Sequence, residues 1–126
     1  LPSPELIMAF AIPSPFDWDE SFCVQSDLFN GQHKELFRLI NDLDADRSSG
    51  AKLQALLDYV VLHFKSEEDA MTAAGFAEFD GHKAIHDKFL ADAGGVKAVN
   101  DDVMHFIKQW LVTHIKGSDK HYAGKI

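Results

Sequence analysis

Four stretches of the chain repeat apolar residues at helical spacing, and each stretch carries histidine within its apolar stripe. In the first, Leu36, Phe37 and Ile40 share one face of a helix with His33. No segment alternates apolar and polar residues as a half-buried strand does. The pattern therefore predicts an all-α protein whose interior contains imidazole groups.

The predicted helices have moderate lengths and short connections. Three of them span residues 27–45, 51–73 and 79–93, and the fourth follows Asn100-Asp101-Asp102 and reaches Gly117. Serine and glycine residues separate the first three, and the polar residues at 100–102 suit a helix N-terminus. Helices joined this way favour an antiparallel up-down four-helix bundle. We expect this bundle to occupy residues 26–126 as one domain.

Residues 1–25 differ in character from the rest of the chain. They contain all four prolines and have no helical period, which predicts an extended N-terminal arm packed by Phe16, Trp18 and Phe22. The chain begins with Leu1, and Met8 lies at a plausible natural start. We therefore expect residues 1–7 to be remnant or added sequence.

Composition excludes several classes of function. The chain has 126 residues, a net charge of -8 and one cysteine. Acidic proteins are poorly suited to nucleic acid or to anionic membranes, and a single thiol supports neither an internal disulfide nor a cysteine-based metal site. The longest apolar run near the start, residues 6–12, is too short to span a membrane and has no basic flank. We therefore expect a cytoplasmic protein.

The inward stripes contain five histidines and one carboxylate, namely His33, His63, His82, His86, His114 and Glu67. A single buried histidine is usually a core residue with a hydrogen-bond partner. Six buried polar groups without partners would each cost about 1–3 kcal/mol. Coordination of metal satisfies all of them together, so the pattern predicts a metal site. His105 and His121 lie off the stripes, and we expect them to face solvent.

The spacing of the candidate ligands makes one specific structural prediction. His63 and Glu67, like His82 and His86, are four residues apart, about 40° around a helix, so each pair can approach one centre. His114 and Asp119 are five apart, about 140° on a regular α-helix, which suits a shared site poorly. We therefore expect a π-like widening near Gly117 that turns Asp119 inward.

Longer strings around these residues resemble the hemerythrin and myohemerythrin family over about residues 10–126. The strings are Gln32-His33-Lys34-Glu35-Leu36-Phe37, His63-Phe64-x-x-Glu67-Glu68, His82-Lys83-x-x-His86, Trp110-Leu111-Val112-Thr113-His114-Ile115-Lys116-x-x-Asp119, Ile12-Pro13-x-Pro15-x-x-Trp18-Asp19-Glu20-Ser21-Phe22 and Tyr122-Ala123-Gly124-Lys125-Ile126. All seven ligand positions of the family carry the expected residue type.

The resemblance implies a non-haem di-iron centre that binds dioxygen reversibly, for storage or transport rather than catalysis. It assigns His82, His86 and His114 to one iron, and His33 and His63 to the other. Glu67 and Asp119 would bridge the irons together with an oxo or hydroxo group, leaving a position open on the iron with two histidines. The residues implied for the dioxygen pocket are Phe37, Phe64, Trp110 and Leu111. The resemblance favours a monomer and leaves a homo-oligomer open.

Other readings of the ligand set remain. A zinc protease would need glutamate directly after the first histidine of a pair, where this chain has Lys83. A ferritin-like oxidase or ferroxidase would be richer in glutamate, with Glu-x-x-His pairs facing inward. Iron storage, metal sequestration and sensing use similar ligands and stay open as alternatives.

Overall fold

The computed structural model describes residues 10–126, which form four α-helices and no strand. We label them α1 (Asp27–Ala45), α2 (Gly50–Ala74), α3 (Phe79–Gly94) and α4 (Asp101–Thr113). The predicted all-α four-helix bundle is confirmed, and the bounds of the first three helices agree with the sequence pattern to within one residue. The predicted remnant at residues 1–7 lies outside the described residues.

Polar side chains fix where the helices begin. Ser26, Ser49 and Asn100 each accept a hydrogen bond from the backbone N–H three residues further along, as helix caps do. At the end of α2, Gly75 adopts a left-handed conformation with φ of 63° and donates its N–H back to the last turn. That conformation carries little cost only for glycine, which explains the residue at this position.

Contacts at both ends of α1 show the antiparallel arrangement. Near its start, Gln32 donates to Ser66 in the second half of α2, at 3.3 Å. Near its end, Asp44 accepts from Lys108 of α4 at 2.7 Å. The start of α1 therefore lies beside the later part of α2, and its end lies beside the middle of α4.

The α-helical backbone of α4 ends before the predicted helix does. Residues His114–Ser118 form a π-helical segment, and Asp119–His121 form a 3₁₀ turn. The wider π turn confirms the predicted departure from an α-helix, and Asp119 is completely buried. The widening lets a residue five positions after His114 point into the same interior.

The described part of the N-terminal arm packs on the bundle as predicted. Phe16 and Phe22 are buried, and their rings lie 4.4 Å and 5.0 Å from the ring of Phe37. Trp18 is partly buried beneath the ammonium group of Lys34. A short 3₁₀ turn, Glu20–Phe22, interrupts the extended backbone. Among the described helices, none is long and apolar enough to cross a membrane.

Candidate metal centre

The structure brings all seven predicted ligand side chains together inside the bundle. Four separate segments contribute them: α1, α2, α3 and the π segment with the residue that follows it. All are buried, at 6% exposure or less. The cluster comprises His33, His63, Glu67, His82, His86, His114 and Asp119.

The seven side chains form two overlapping groups. One contains His82, His86 and His114, and the other contains His33 and His63. Both groups also contain Glu67 and Asp119. Within each group, one ligand atom from every residue lies within 4.8 Å of the others, which is close enough for one cation to touch them all. Two cations bound here would therefore share two carboxylates.

The two oxygens of Asp119 face different groups. Its Oδ1 lies 2.9 Å from His114 Nε2 and 3.0 Å from His82 Nε2. Its Oδ2 lies 3.0 Å from His33 Nε2. This is the arrangement expected of a carboxylate that spans two metal positions.

Glu67 occupies a similar place on the other side of the cluster. Its Oε1 lies 3.2 Å from His63 Nε2 and 3.3 Å from His86 Nε2, so one oxygen adjoins both groups. The i, i+4 spacing on α2 brings Glu67 beside His63, because such residues are neighbours on one helix face.

The polar atoms of the cluster converge without satisfying one another. Both carboxylate oxygens of Glu67 and both of Asp119 are buried without a hydrogen bond of acceptable geometry. The Nε2 atoms of His33, His63 and His82 are in the same state. Buried polar groups without partners are costly, and a metal ion at the point of convergence satisfies them together. The donor set, nitrogen and carboxylate oxygen, suits a divalent transition metal such as iron.

Electrostatics keep the carboxylates ionised. Burial raises the pKa of Glu67, as does repulsion from Asp119, but the neighbouring histidines outweigh both and hold it well below its ordinary value. Burial likewise opposes ionisation of Asp119, and contacts with His114, His33 and His82 reverse its effect, so this pKa is also well below the usual range. Both groups are therefore charged and able to bind a cation at neutral pH.

The histidines respond to the same carboxylates unequally. Burial acts to lower the pKa of His82, but Asp119 and Glu67 together raise it to about 9. The pKa of His63 is also raised, because Glu67 and Asp119 outweigh burial. In His114 burial dominates, and the pKa is lowered. A cation that binds here at neutral pH must displace a proton from at least one ligand.

Two side chains outside the cluster orient the ligands, and the sequence pattern did not assign them a role. His63 Nδ1 lies 2.7 Å from Gln32 Oε1, and His86 Nδ1 lies 2.9 Å from Glu68 Oε2. These partners direct Nε2 of each imidazole toward the cluster. Their signal in the sequence was only adjacency, since Gln32 precedes one ligand and Glu68 follows another.

An apolar cavity lies beside two aromatic residues that pack on the cluster, and none of the seven cluster residues lines it. The volume of this cavity is about 20 Å³, which is enough for one very small molecule. Phe64 and Trp110, which line it, stack on His86 and His114 with ring centroids 3.8 Å and 4.4 Å apart. The full lining is Leu36, Ile40, Leu56, Val60, Phe64, Phe89, Ile107, Trp110 and Leu111. Phe37, the fourth residue predicted for a dioxygen pocket, does not line this cavity and packs on the N-terminal arm instead.

Three further residues lie outside the cluster: Tyr122, His105 and His121. Tyr122 is buried with its ring centroid 5.9 Å from that of His82, and its hydroxyl has no hydrogen-bond partner among the described residues. Burial and the two carboxylates raise the pKa of Tyr122, so the phenol stays protonated. His105 and His121 are exposed, as the stripe pattern predicts.

Comparison with known proteins agrees with this geometry. Residues 24–126 match the family model of the hemerythrin HHE cation-binding domain. The chain is 58% identical over 117 residues to a hemerythrin-like protein of Naegleria gruberi, covering 93% of this chain and 98% of that one. It is 43% identical to myohemerythrin-1 of Phascolopsis gouldii, covering 93% and 99% of the two chains.

A solved structure gives the same result at the level of the fold. The crystal structure of a wild-type hemerythrin superposes with a TM-score of 0.79 at 36% sequence identity, covering 86% of this chain and 95% of that one. The family match covers the segment that contains all seven clustered side chains, and the relatives match nearly over their full length. The chain therefore belongs to the hemerythrin family.

Proposed function

We propose that this protein binds dioxygen reversibly at two iron ions held by the seven clustered side chains. The observation that supports this most directly is that two ligand groups with unequal numbers of histidines share Glu67 and Asp119. Relatives that carry the names myohemerythrin and hemerythrin-like protein support the same proposal. Within it the protein is a carrier rather than an enzyme, and it acts as a monomer.

The roles of the side chains follow from their grouping. His82, His86 and His114 would hold one iron, His33 and His63 would hold the other, and Glu67 and Asp119, which belong to both groups, would be shared between them. The group with two histidines offers fewer protein donors and so would leave more room for a small ligand. With iron bound, the metal pair supplies the electrons that dioxygen takes up on binding and returns on release.

The apolar residues determine whether that exchange stays reversible. The residues that line this cavity are apolar apart from the indole N–H of Trp110, and they include Phe64 and Leu111. Such a wall admits dioxygen and offers few hydrogen bonds to water or to a proton carrier. Water and protons drive reduced oxygen onward to products that are not returned, so their exclusion favours release of dioxygen.

The experiment is an anaerobic optical titration of the reduced, iron-loaded protein with dioxygen, followed by purging with argon. We expect a visible charge-transfer band that appears with dioxygen and disappears on purging, through repeated cycles. His63→Ala removes a ligand of the group with two histidines and should abolish the band. His105→Ala changes an exposed histidine outside the cluster and should behave like the wild type.

Other outcomes would replace the proposal. Irreversible bleaching, with release of peroxide or an oxidised substrate, would indicate a di-iron oxidase or ferroxidase. Stable iron binding without any response to dioxygen would indicate iron storage, metal sequestration or sensing.

A further inference from the structure

A surface pocket reaches the buried cluster at a single ligand, His82. It lies between the start of α3 and the turn that follows the π segment. Its volume is about 220 Å³. Its lining residues are Glu78, Gly81, His82, Ile85, Ser118 and His121. It is separate from the apolar cavity, which shares none of these residues.

His82 is the least enclosed of the seven cluster residues. Its side chain is 6% exposed, whereas the other six are between 0% and 2%. Its Nε2 atom faces the cluster and lies 3.0 Å from Asp119 Oδ1, without a hydrogen bond of acceptable geometry among the described residues. An ion that enters or leaves must pass a ligand, and His82 is the one that solvent already approaches.

Two further residues that line the pocket have side chains of the types that bind divalent cations. Glu78 and His121 are both exposed, and neither belongs to the buried cluster. They provide one carboxylate and one imidazole, the same two donor types that the cluster uses. Gly81 also lines the pocket, and an added Cβ at this residue would meet no atom within 4 Å.

We propose that this pocket is the route by which metal ions reach and leave the cluster, and that Glu78 and His121 hold an arriving divalent cation before His82 receives it. The proposal rests on the proposed function, because it assumes that the seven side chains bind two metal ions. A hydrated cation exchanges its water in steps, and donors at the mouth replace part of that shell before the ion enters the apolar interior. No change in oxidation state is involved.

The first test fills the passage. Gly81→Leu adds a side chain at a residue that lines the pocket, where an added Cβ would meet no atom within 4 Å, and leucine favours a helix more than glycine does. We expect it to slow both anaerobic loading with Fe²⁺ and removal of Fe²⁺ by a chelator, by about tenfold, because a filled passage must open by local fluctuation. The control is Gly31→Leu, at an exposed helical glycine of α1 that also has no atom within 4 Å of an added Cβ.

The second test removes the outer donors. Glu78→Gln combined with His121→Asn should slow loading at limiting Fe²⁺ several-fold and leave the final stoichiometry at two ions per chain. The matched control combines Glu35→Gln with His105→Asn, which change the same residue types away from the pocket. Loading rates equal to the control would overturn the role of Glu78 and His121 as a holding site.

The outcomes separate this inference from the proposed function. If the wild-type protein binds no iron at all, the proposed function fails. If it binds two ions and Gly81→Leu loads and releases them at the rates of Gly31→Leu, only the route fails. Circular dichroism of each variant checks that the helices are intact, so a slow rate cannot come from misfolding.

Discussion

At the scale of single residues, the partners behind the ligands are unequal. Glu68 places a carboxylate 2.9 Å from His86 Nδ1, whereas Gln32 places a neutral amide oxygen 2.7 Å from His63 Nδ1. A charged acceptor increases the electron density of an imidazole more than a neutral one does. The group with three histidines therefore contains the imidazole whose hydrogen-bond partner is charged.

The substitution Glu68→Gln tests that difference. It keeps the length of the side chain and an acceptor oxygen but removes the charge behind His86. We expect metal affinity to fall by about tenfold, at the lower end of the range for partners that orient ligands. Competition between the protein and a chelator for Co²⁺ measures it. Glu35→Gln, in a surface pair with Arg38, is the control, and equal affinities in both variants would contradict the assignment.

His82 makes metal binding depend on pH in a defined direction. Its pKa is raised to about 9, so below that pH a cation must displace its proton. We expect affinity for Co²⁺ to rise with pH and level off above about 9, with up to tenfold per pH unit from this group. Affinity that does not change between pH 7 and 9 would contradict the role of His82.

The same residue affects stability of the metal-free protein in the opposite sense. Its pKa in the folded state lies above the ordinary value of 6.5, so the folded state binds the proton more tightly than the unfolded state. The resulting stabilisation is complete below pH 6.5 and is lost as pH rises through about 9. In urea unfolding of the metal-free protein across that range, the contribution of His82 to the free energy of unfolding should fall as pH rises. Metal affinity should rise over the same range.

At the scale of elements, helical periodicity was enough to predict the bundle. Apolar stripes determine which face of each helix is buried, and the five histidines follow because they lie in those stripes. The inward turn of Asp119 was predictable because a spacing of five fits a π turn and not an α turn. The roles of Gln32 and Glu68 were not, since they depend on side-chain direction and on a facing helix.

The π turn lies where the sequence predicted it, because the segment His114–Ser118 includes Gly117. Gly117 has no positive φ angle, so the backbone there is open to other residues. An added Cβ there would meet only Phe10 at 3.5 Å, an ordinary contact. The local geometry therefore does not require glycine at position 117, and the turn places the carboxylate of Asp119 beside His33 and His82.

Two alanine substitutions compare Gly117 with a glycine whose backbone conformation requires that residue. Gly117→Ala should leave metal stoichiometry unchanged and leave the free energy of unfolding unchanged or raise it by up to about 1 kcal/mol. Gly75→Ala, at a φ of 63°, should lower the free energy of unfolding by about 1 kcal/mol, since alanine is strained there. Urea titrations of both proteins measure this. Loss of one metal ion in Gly117→Ala would show that glycine is required for the π turn.

At the scale of the whole molecule, the ligand cluster lies within the same buried interior as the apolar core. The ligands come from α1, α2, α3 and the segment that continues α4, so the bundle must form before the cluster exists, and the cluster interrupts a largely apolar interior. Periodicity predicts this core but not its cavities, because the spaces beside Phe64 and above Gly81 depend on how helices pack. That is why Phe37, on the correct helix face, lies against the N-terminal arm instead.

Because the ligand cluster lies in the core, we expect removal of the metal to have a large effect on stability. The metal-free bundle keeps buried carboxylates and imidazoles without full partners, whereas bound ions stabilise only the folded state. Free metal at about 1,000 times the dissociation constant adds about 4 kcal/mol for each site. For two sites we expect removal to lower Tm by on the order of 30 °C, because 1 kcal/mol corresponds to about 4 °C in a domain of this size. Calorimetry of the loaded and chelator-treated protein measures the difference. Equal melting temperatures would mean that the seven side chains do not share bound metal in the folded protein.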